Sequence, residues 1–163
     1  MSLETGKLQV YTGNGKGKTT ASLGLCFRAA GQGLRPCVIQ FIKRQRCGEH
    51  SSAERLGIEI VQSDLPDVCQ GVRAQLALAQ RYLRERHCDI LVLDEILGSL
   101  KRDYVTLEEV LALVDLRPRD MELVLTGRNA PPSVIQRADL VTSMECVKHY
   151  FDAGLMAREG IEY

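Results

Sequence analysis

The sequence predicts an α/β fold with a mostly parallel central sheet flanked by helices, in a single domain spanning residues 1–163. Three observations carry that expectation. Short apolar runs alternate with amphipathic stretches along the chain. A Gly-rich segment, 12–20, lies directly between the first apolar run and the first amphipathic stretch. An unbroken apolar run, 90–93, ends in two adjacent acids, Asp94 and Glu95, as a buried central strand would.

In chain order, residues 8–11 read as the first strand and run straight into the Gly-rich loop. A helix follows over 18–30, with Leu23, Phe27 and Ala30 on one face, Cys26 beside them, and Gly31 and Gly33 ending it. Residues 37–42 form a second strand. The polar stretch 43–52, with Gly48 in its middle, reads as a surface loop. A short third strand covers 58–61. The stripe Val72, Leu76, Ala79 and Leu83 predicts a helix over 72–86. Thr106 and Glu109 form a capping box that opens a helix through Leu116, which Arg117 and Pro118 end. A strand over 122–125, a short helix over 133–137 and a last strand over 140–142 complete the series. No repeat, low-complexity segment or linker divides the chain.

Composition narrows the function. Lys plus Arg and Asp plus Glu both number 21, so the formal net charge is zero, which argues against the basic stripe that non-specific nucleic-acid binding needs. No run reaches the apolar length of a membrane span, and the N-terminus has no apolar signal core. The six cysteines include no CxxC pair and match no zinc spacing. Several sit inside apolar runs, as small buried hydrophobes of a reduced protein do. The expectation is a cytoplasmic protein without membrane or nucleic-acid partners.

The chemistry concentrates in Thr12-Gly13-Asn14-Gly15-Lys16-Gly17-Lys18-Thr19-Thr20. Glycines let the backbone take positive φ and turn its N–H groups inward, and the helix N-terminus adds its dipole. The result is a cradle for phosphate oxygens: a P-loop. Lys18 would reach a phosphate, Lys16 would add a second positive charge, and the Thr19 hydroxyl would be a Mg²⁺ ligand. The usual pattern starts with glycine where this chain has Thr12, so Gly13 and Gly15 supply the flexibility. Asp94 and Glu95 then read as a Walker-B-like strand end, with one acid facing the loop and one free for another task. There is no Asn-Lys-x-Asp segment to read guanine. Arg44 and Arg46 are too few for the Arg-rich lid of a small-molecule kinase.

These segments resemble the ATP:corrinoid adenosyltransferases of the CobA/CobO/BtuR type. The P-loop lacks the same first glycine. Gln40-Phe41-Ile42-Lys43 with Gly48-Glu49, Leu93-Asp94-Glu95, Arg117-Pro118, Thr126-Gly127-Arg128, Ala138-Asp139-Leu140 and the tail 147–163 follow collinearly. The resemblance implies a RecA-like sheet and a homodimer. It also implies ATP lying in the P-loop in the reverse of the usual direction, with Mg²⁺. A cobalt(I) corrinoid attacks the ribose 5′-carbon and inorganic triphosphate leaves; a partner reductase supplies cobalt(I). By position, Gly13, Asn14, Gly15, Lys16, Gly17, Lys18, Thr19 and Thr20 bind the triphosphate, with Arg128 as a further phosphate contact. Lys18 and Glu95 are the expected catalytic residues. Thr19 and Glu95 are the expected metal ligands, and Asp94 holds a metal-bound water. His149 is a candidate for facing the corrinoid. One departure stands out: 62–70, QSDLPDVCQ, has no aromatic where the family often carries residues that displace the corrinoid's lower ligand. Two other readings stay open on the residues alone, namely a different P-loop ATPase or kinase and a non-catalytic ATP-binding module.

Overall fold

The structure is a computed structural model and describes residues 3–163. Six strands, β1 (Leu8–Thr12), β2 (Pro36–Gln40), β3 (Glu59–Val61), β4 (Ile90–Asp94), β5 (Glu122–Thr126) and β6 (Leu140–Ser143), form one sheet in the order β3-β2-β4-β5-β1-β6. Every neighbouring pair is parallel. The connections are α1 (Lys18–Gly31), α2 (Gly48–Leu56), α3 (Val68–Glu85), α4 (Ile96–Lys101), α5 (Leu107–Leu116) and α6 (Pro132–Arg137), with a short 3₁₀ turn at Tyr150–Ala153 near the C-terminus.

β2, β4 and β5 are buried throughout because helices cover both faces of the sheet. The two-residue period of a strand sorts their side chains. Ile90, Val92, Val38 and Val124 share one face with Cys26 and Ala29 of α1 and Ala53 of α2. Leu91, Leu93, Ile39, Leu123 and Leu125 share the other with Leu76, Ala79 and Leu83 of α3 and Leu113 of α5. Full burial of a side chain such as Leu83 or Leu91 contributes about 1.5–3 kcal/mol. β6, at the edge, is exposed along its length.

Three expectations need correction, and one further helix was not anticipated. Residues 43–52 are not all loop: α2 begins at Gly48. Only His50 and Ala53 of that helix are buried, so it shows no apolar stripe in the sequence. The inner face of α1 is Lys18, Ser22, Cys26 and Ala29, whereas Phe27 is 63% exposed. The P-loop sets this rotation by fixing Lys18 inward, and the i, i+4, i+8 positions follow. α3 starts at Val68, four residues before its apolar stripe, because the Asp67 carboxylate accepts from the Gln70 N–H at 2.7 Å as an N-cap. α4 follows β4 directly and is too short to show a period. The Thr106–Glu109 capping box is formed as expected, with both reciprocal hydrogen bonds present.

The carboxyl edge of the sheet has a common backbone device. β1, β4 and β5 are each followed at once by a left-handed residue: Gly13 (φ 93), Glu95 (φ 60) and Gly127 (φ 137). β2 reaches one two residues on, at Ile42 (φ 65). Positive φ is unusual for Glu and an outlier for β-branched Ile. Such strain costs about 1–3 kcal/mol per residue and gathers at functional sites. Here it turns the chain sharply at the ends of four adjacent strands, so that the following residues rim one cavity.

Candidate functional site

The loop after β1 is braced from behind. Gly15 N–H donates to the Met144 carbonyl at 2.7 Å, and Met144 N–H donates to the Thr12 carbonyl at 2.8 Å. A Cβ on Gly13 would lie 2.3 Å from the Met144 carbonyl oxygen, and one on Gly15 would lie 2.6 Å from that of Glu145. Both glycines are therefore required by close backbone approach, and Gly13, at φ 93, by turn geometry as well. Gly17, at φ 118, leads into α1. Lys18 is buried, and its ammonium donates to the Gly13 and Gly15 carbonyls at 2.8 and 2.7 Å. Burial lowers its pKa, and the nearby Glu95 carboxylate opposes that shift. Lys18 is thus a desolvated cation held at the loop's centre by weak neutral acceptors, which an anion would replace favourably.

The two acids at the end of β4 take different places. Asp94 shares the face of Ile90 and Val92, which α1 covers, and it is almost fully buried. The Thr19 hydroxyl donates to it at 2.9 Å and the Thr126 hydroxyl at 2.7 Å, while Gln40 Nε2 approaches at 3.4 Å. Gln40 and Asp94 are register partners, so one row of polar groups crosses β2, β4 and β5 under the P-loop. Burial raises the Asp94 pKa against these donors. Glu95 reaches the cavity instead, its pKa raised by burial and then by the neighbouring Asp94 charge, with Lys18 and Arg128 opposing. Thr126 ties the pair together, since its hydroxyl also accepts from the Glu95 N–H at 2.9 Å.

A cavity of about 990 Å³ opens over these groups. Its floor is the loop from Asn14 through Thr20, and Glu95 and Arg128 line it too. Gly13 and Asp94 do not line it: the first supplies a carbonyl to Lys18, and the second lies beneath Thr19. One wall is Lys43, Gly48, Glu49 and Ser52, where Lys43 is ion-paired with Glu49. The opposite wall is the C-terminal tail, including Cys146, His149, Phe151 and the last four residues. His149 lines the cavity while its Nδ1 accepts from the Phe151 N–H at 3.1 Å.

Sequence reasoning did not anticipate what holds Lys16. Its ammonium donates to Tyr150 Oη at 2.8 Å, the Ile161 carbonyl at 3.2 Å and Glu162 Oε1 at 2.7 Å. Arg158, Lys16 and Tyr150 together hold the Glu162 carboxyl well below the usual range. The tail thus closes over the phosphate loop through one lysine. The sequence signal was the Lys16 charge standing outside the usual loop pattern, with an acid near the chain end to meet it. Lys43 and Glu49 stood in the sequence only as parts of the family-like segments 40–43 and 48–49, with no pairing or role attached.

A phosphate cradle, a buried lysine and a hydroxyl–carboxylate pair at the carboxyl edge of an all-parallel sheet define a P-loop nucleotide-binding protein of RecA-like fold. The fold is shared with a KaiC-like protein, PH0186 from Pyrococcus horikoshii, at a TM-score of 0.60 and 22% identity, covering 86% of this chain and 72% of that one.

Within that class the chain belongs to the ATP:corrinoid adenosyltransferase BtuR/CobO/CobP family, whose model matches residues 4–163. It is 37% identical to a corrinoid adenosyltransferase of Pseudomonas aeruginosa, over 98% of this chain and 85% of that protein. It is 36% identical to one of Escherichia coli, over 98% and 87%. The corrinoid adenosyltransferase CobA of Salmonella typhimurium is 37% identical over the same shares.

Two further expectations meet the structure. All six cysteines are free, but Cys69 and Cys146 are exposed instead of buried, Cys69 on the outer face of α3 and Cys146 on the cavity wall. Among the described residues no helix is long and apolar enough to cross a membrane.

Proposed function

We propose that this chain, acting as one domain, transfers the 5′-deoxyadenosyl group of ATP to a cobalt(I) corrinoid and releases inorganic triphosphate. The observation that supports the reading is a built phosphate cradle, with a desolvated lysine at its centre, opening into a cavity of about 990 Å³. Cobalt(I) needs no base to activate it: its electron pair forms the cobalt–carbon bond, and the C5′–O bond breaks onto the triphosphate. What the protein supplies is alignment and stabilisation of the charge gathering on the leaving group. The desolvated Lys18 ammonium would meet that charge, with Lys16, the loop N–H groups other than that of Gly15, which bonds Met144, and Arg128 around it. ATP in the reverse of the usual orientation would set the triphosphate in the cradle and the ribose toward the open cavity.

The residues present fit Mg²⁺. Thr19, Asp94 and Glu95 are hard oxygen donors, and both carboxyls are driven toward protonation by burial, a penalty a cation would relieve. Thr19 and Glu95 would hold the ion, with Asp94 holding a water bound to it, and the ion would offset negative charge on the leaving group. The tail wall, with His149 and Phe151, is the proposed corrinoid side. Exposed Val147 and Met156, on the tail outside the cavity lining, support a homodimer there. A reductase that delivers cobalt(I), and a cytoplasmic location, complete the proposal.

The connector 62–67 bears on which corrinoid is accepted. Gln62 donates to Gln40 Oε1 at 2.9 Å, and Arg44 donates to the Leu65 and Pro66 carbonyls. It is a short polar strap with no aromatic to displace a lower ligand. An anaerobic assay with ATP, Mg²⁺ and chemically reduced cobalamin or cobinamide tests the reading. The expected product is light-sensitive adenosyl-corrinoid, with cobinamide, which lacks the lower base, turned over at least as well as cobalamin. ATP binding with neither corrinoid adenosylated would overturn it in favour of a non-catalytic module.

A further inference from the structure

At the opposite, amino-terminal edge of the sheet lies a second convergent group of side chains. Cys37 near the start of β2 and Glu59 at the start of β3 are register partners, so their side chains emerge side by side. His87 joins them from the connection between α3 and β4. Cys37 Sγ donates to Glu59 Oε2 at 2.9 Å, and His87 Nε2 lies 2.8 Å from the same oxygen. The three ligand atoms all lie within 4.8 Å of one another.

We propose that Cys37, Glu59 and His87 form a binding site for a soft divalent cation of the zinc class, separate from the nucleotide cavity. Metal–ligand bonds of about 2.0–2.3 Å in a tetrahedron place ligands roughly 3.2–3.9 Å apart, so the three atoms need only small adjustments to surround an ion. One thiolate, one carboxylate and one neutral imidazole match a dication in charge. A sulfur and a nitrogen donor select zinc-class ions over Mg²⁺ or Ca²⁺. The orienting groups are also present. Tyr82 Oη donates to the other Glu59 oxygen at 2.7 Å, and the His87 ring stacks on Tyr82 with centroids 4.0 Å apart. Cys37 is buried, whereas the Glu59 and His87 side chains are each 42% exposed, so an ion has an open approach and a place for a water as fourth ligand. Binding breaks the Cys37 S–H bond, its electron pair forms the sulfur–metal bond, and the proton leaves to solvent. The bound ion would fasten β2, β3 and the entry to β4 together. Sequence spacing hides the site because its ligands come from three separate elements.

The test uses the full chain, reduced and metal-free, with Cys69→Ser and Cys146→Ser to remove the exposed thiols, and Co²⁺ as the probe. One equivalent is expected to give a thiolate-to-cobalt charge-transfer band and the strong visible bands of a tetrahedral site. Zn²⁺ should abolish them and excess Mg²⁺ should not. Glu59→Gln and His87→Ala, both at exposed side chains, should each weaken binding at least tenfold, and Cys37→Ser should remove the charge-transfer band. Zn²⁺ at 100 times its Kd should raise Tm by about 5–10 °C. His87→Ala should lose that rise and keep its ATP affinity. A weak, oxygen-type spectrum alone, or a tetrahedral one that survives Cys37→Ser and His87→Ala, would overturn the proposal.

Discussion

Asp94 and Glu95 are neighbours in the sequence with different surroundings, and the two-residue period of β4 explains why. Asp94 continues the face of Ile90 and Val92, which packs on α1, so it meets Thr19 in the first turn of that helix. Glu95 would fall on the other face, but its left-handed backbone turns it toward Lys18 and Arg128. Strand parity was available in the sequence and points Asp94 at the loop; the turn at Glu95 was not, because nothing in the residue type signals a positive φ. The raised pKa of Glu95 gives a signed prediction. A carboxyl whose folded pKa lies above its unfolded one favours the fold when protonated and costs stability as pH rises through that window. Glu95→Gln should therefore raise the Tm of ligand-free protein at pH 8 while lowering activity, and the gain should shrink as pH falls toward the unfolded carboxyl range. Thermal melts across pH would check it; a loss of stability at pH 8 would count against the buried, charge-strained carboxylate described here.

At the scale of elements, the loop between β1 and α1 is shaped as much by the segment after β6 as by its own glycines. Gly13→Ala would bring a Cβ into the Met144 backbone at a left-handed position, and should lower stability by about 1–3 kcal/mol or more, with loss of ATP binding. Gly33→Ala, also at positive φ but in open space, carries only the conformational cost of about 1–2 kcal/mol and should leave ATP binding intact. Equal losses of ATP binding would show that the brace is irrelevant. The tail makes a separate prediction. Glu162 occupies Lys16 in competition with any phosphate, so Glu162→Gln should tighten ATP binding roughly threefold by titration. Weaker binding would mean that the tail assists the nucleotide. Short apolar runs made all six strands legible, and the capping box made α5 so. α2 was hidden because its helix is polar, and α4 because six residues after a strand show no period. The tail's hold on Lys16 spans more than 130 residues of chain, which no local pattern reports.

For the whole molecule, the parallel sheet places the loop 13–20, Glu95 and Arg128 at one edge and the Cys37–Glu59–His87 group at the other. That the loop and the two acids meet at the first edge was legible, because a Gly-rich loop after a strand and an acid at the end of a buried strand are local signals of a shared edge. The walls of the cavity were not, since Lys43 depends on the turn at Ile42 and the tail depends on tertiary return. The central claim is that triphosphate, and not a γ-phosphoryl group, leaves. Phosphorus NMR of the products of an anaerobic reaction with ATP, Mg²⁺ and reduced cobinamide tests that claim most directly. The expected result is inorganic triphosphate in equal amount to adenosyl-corrinoid, with Lys18→Ala reducing the rate by about 10²–10³ as for loss of a charge-stabilising group. Orthophosphate with ADP, formed without regard to the corrinoid, would contradict it and make the chain an ATPase or kinase.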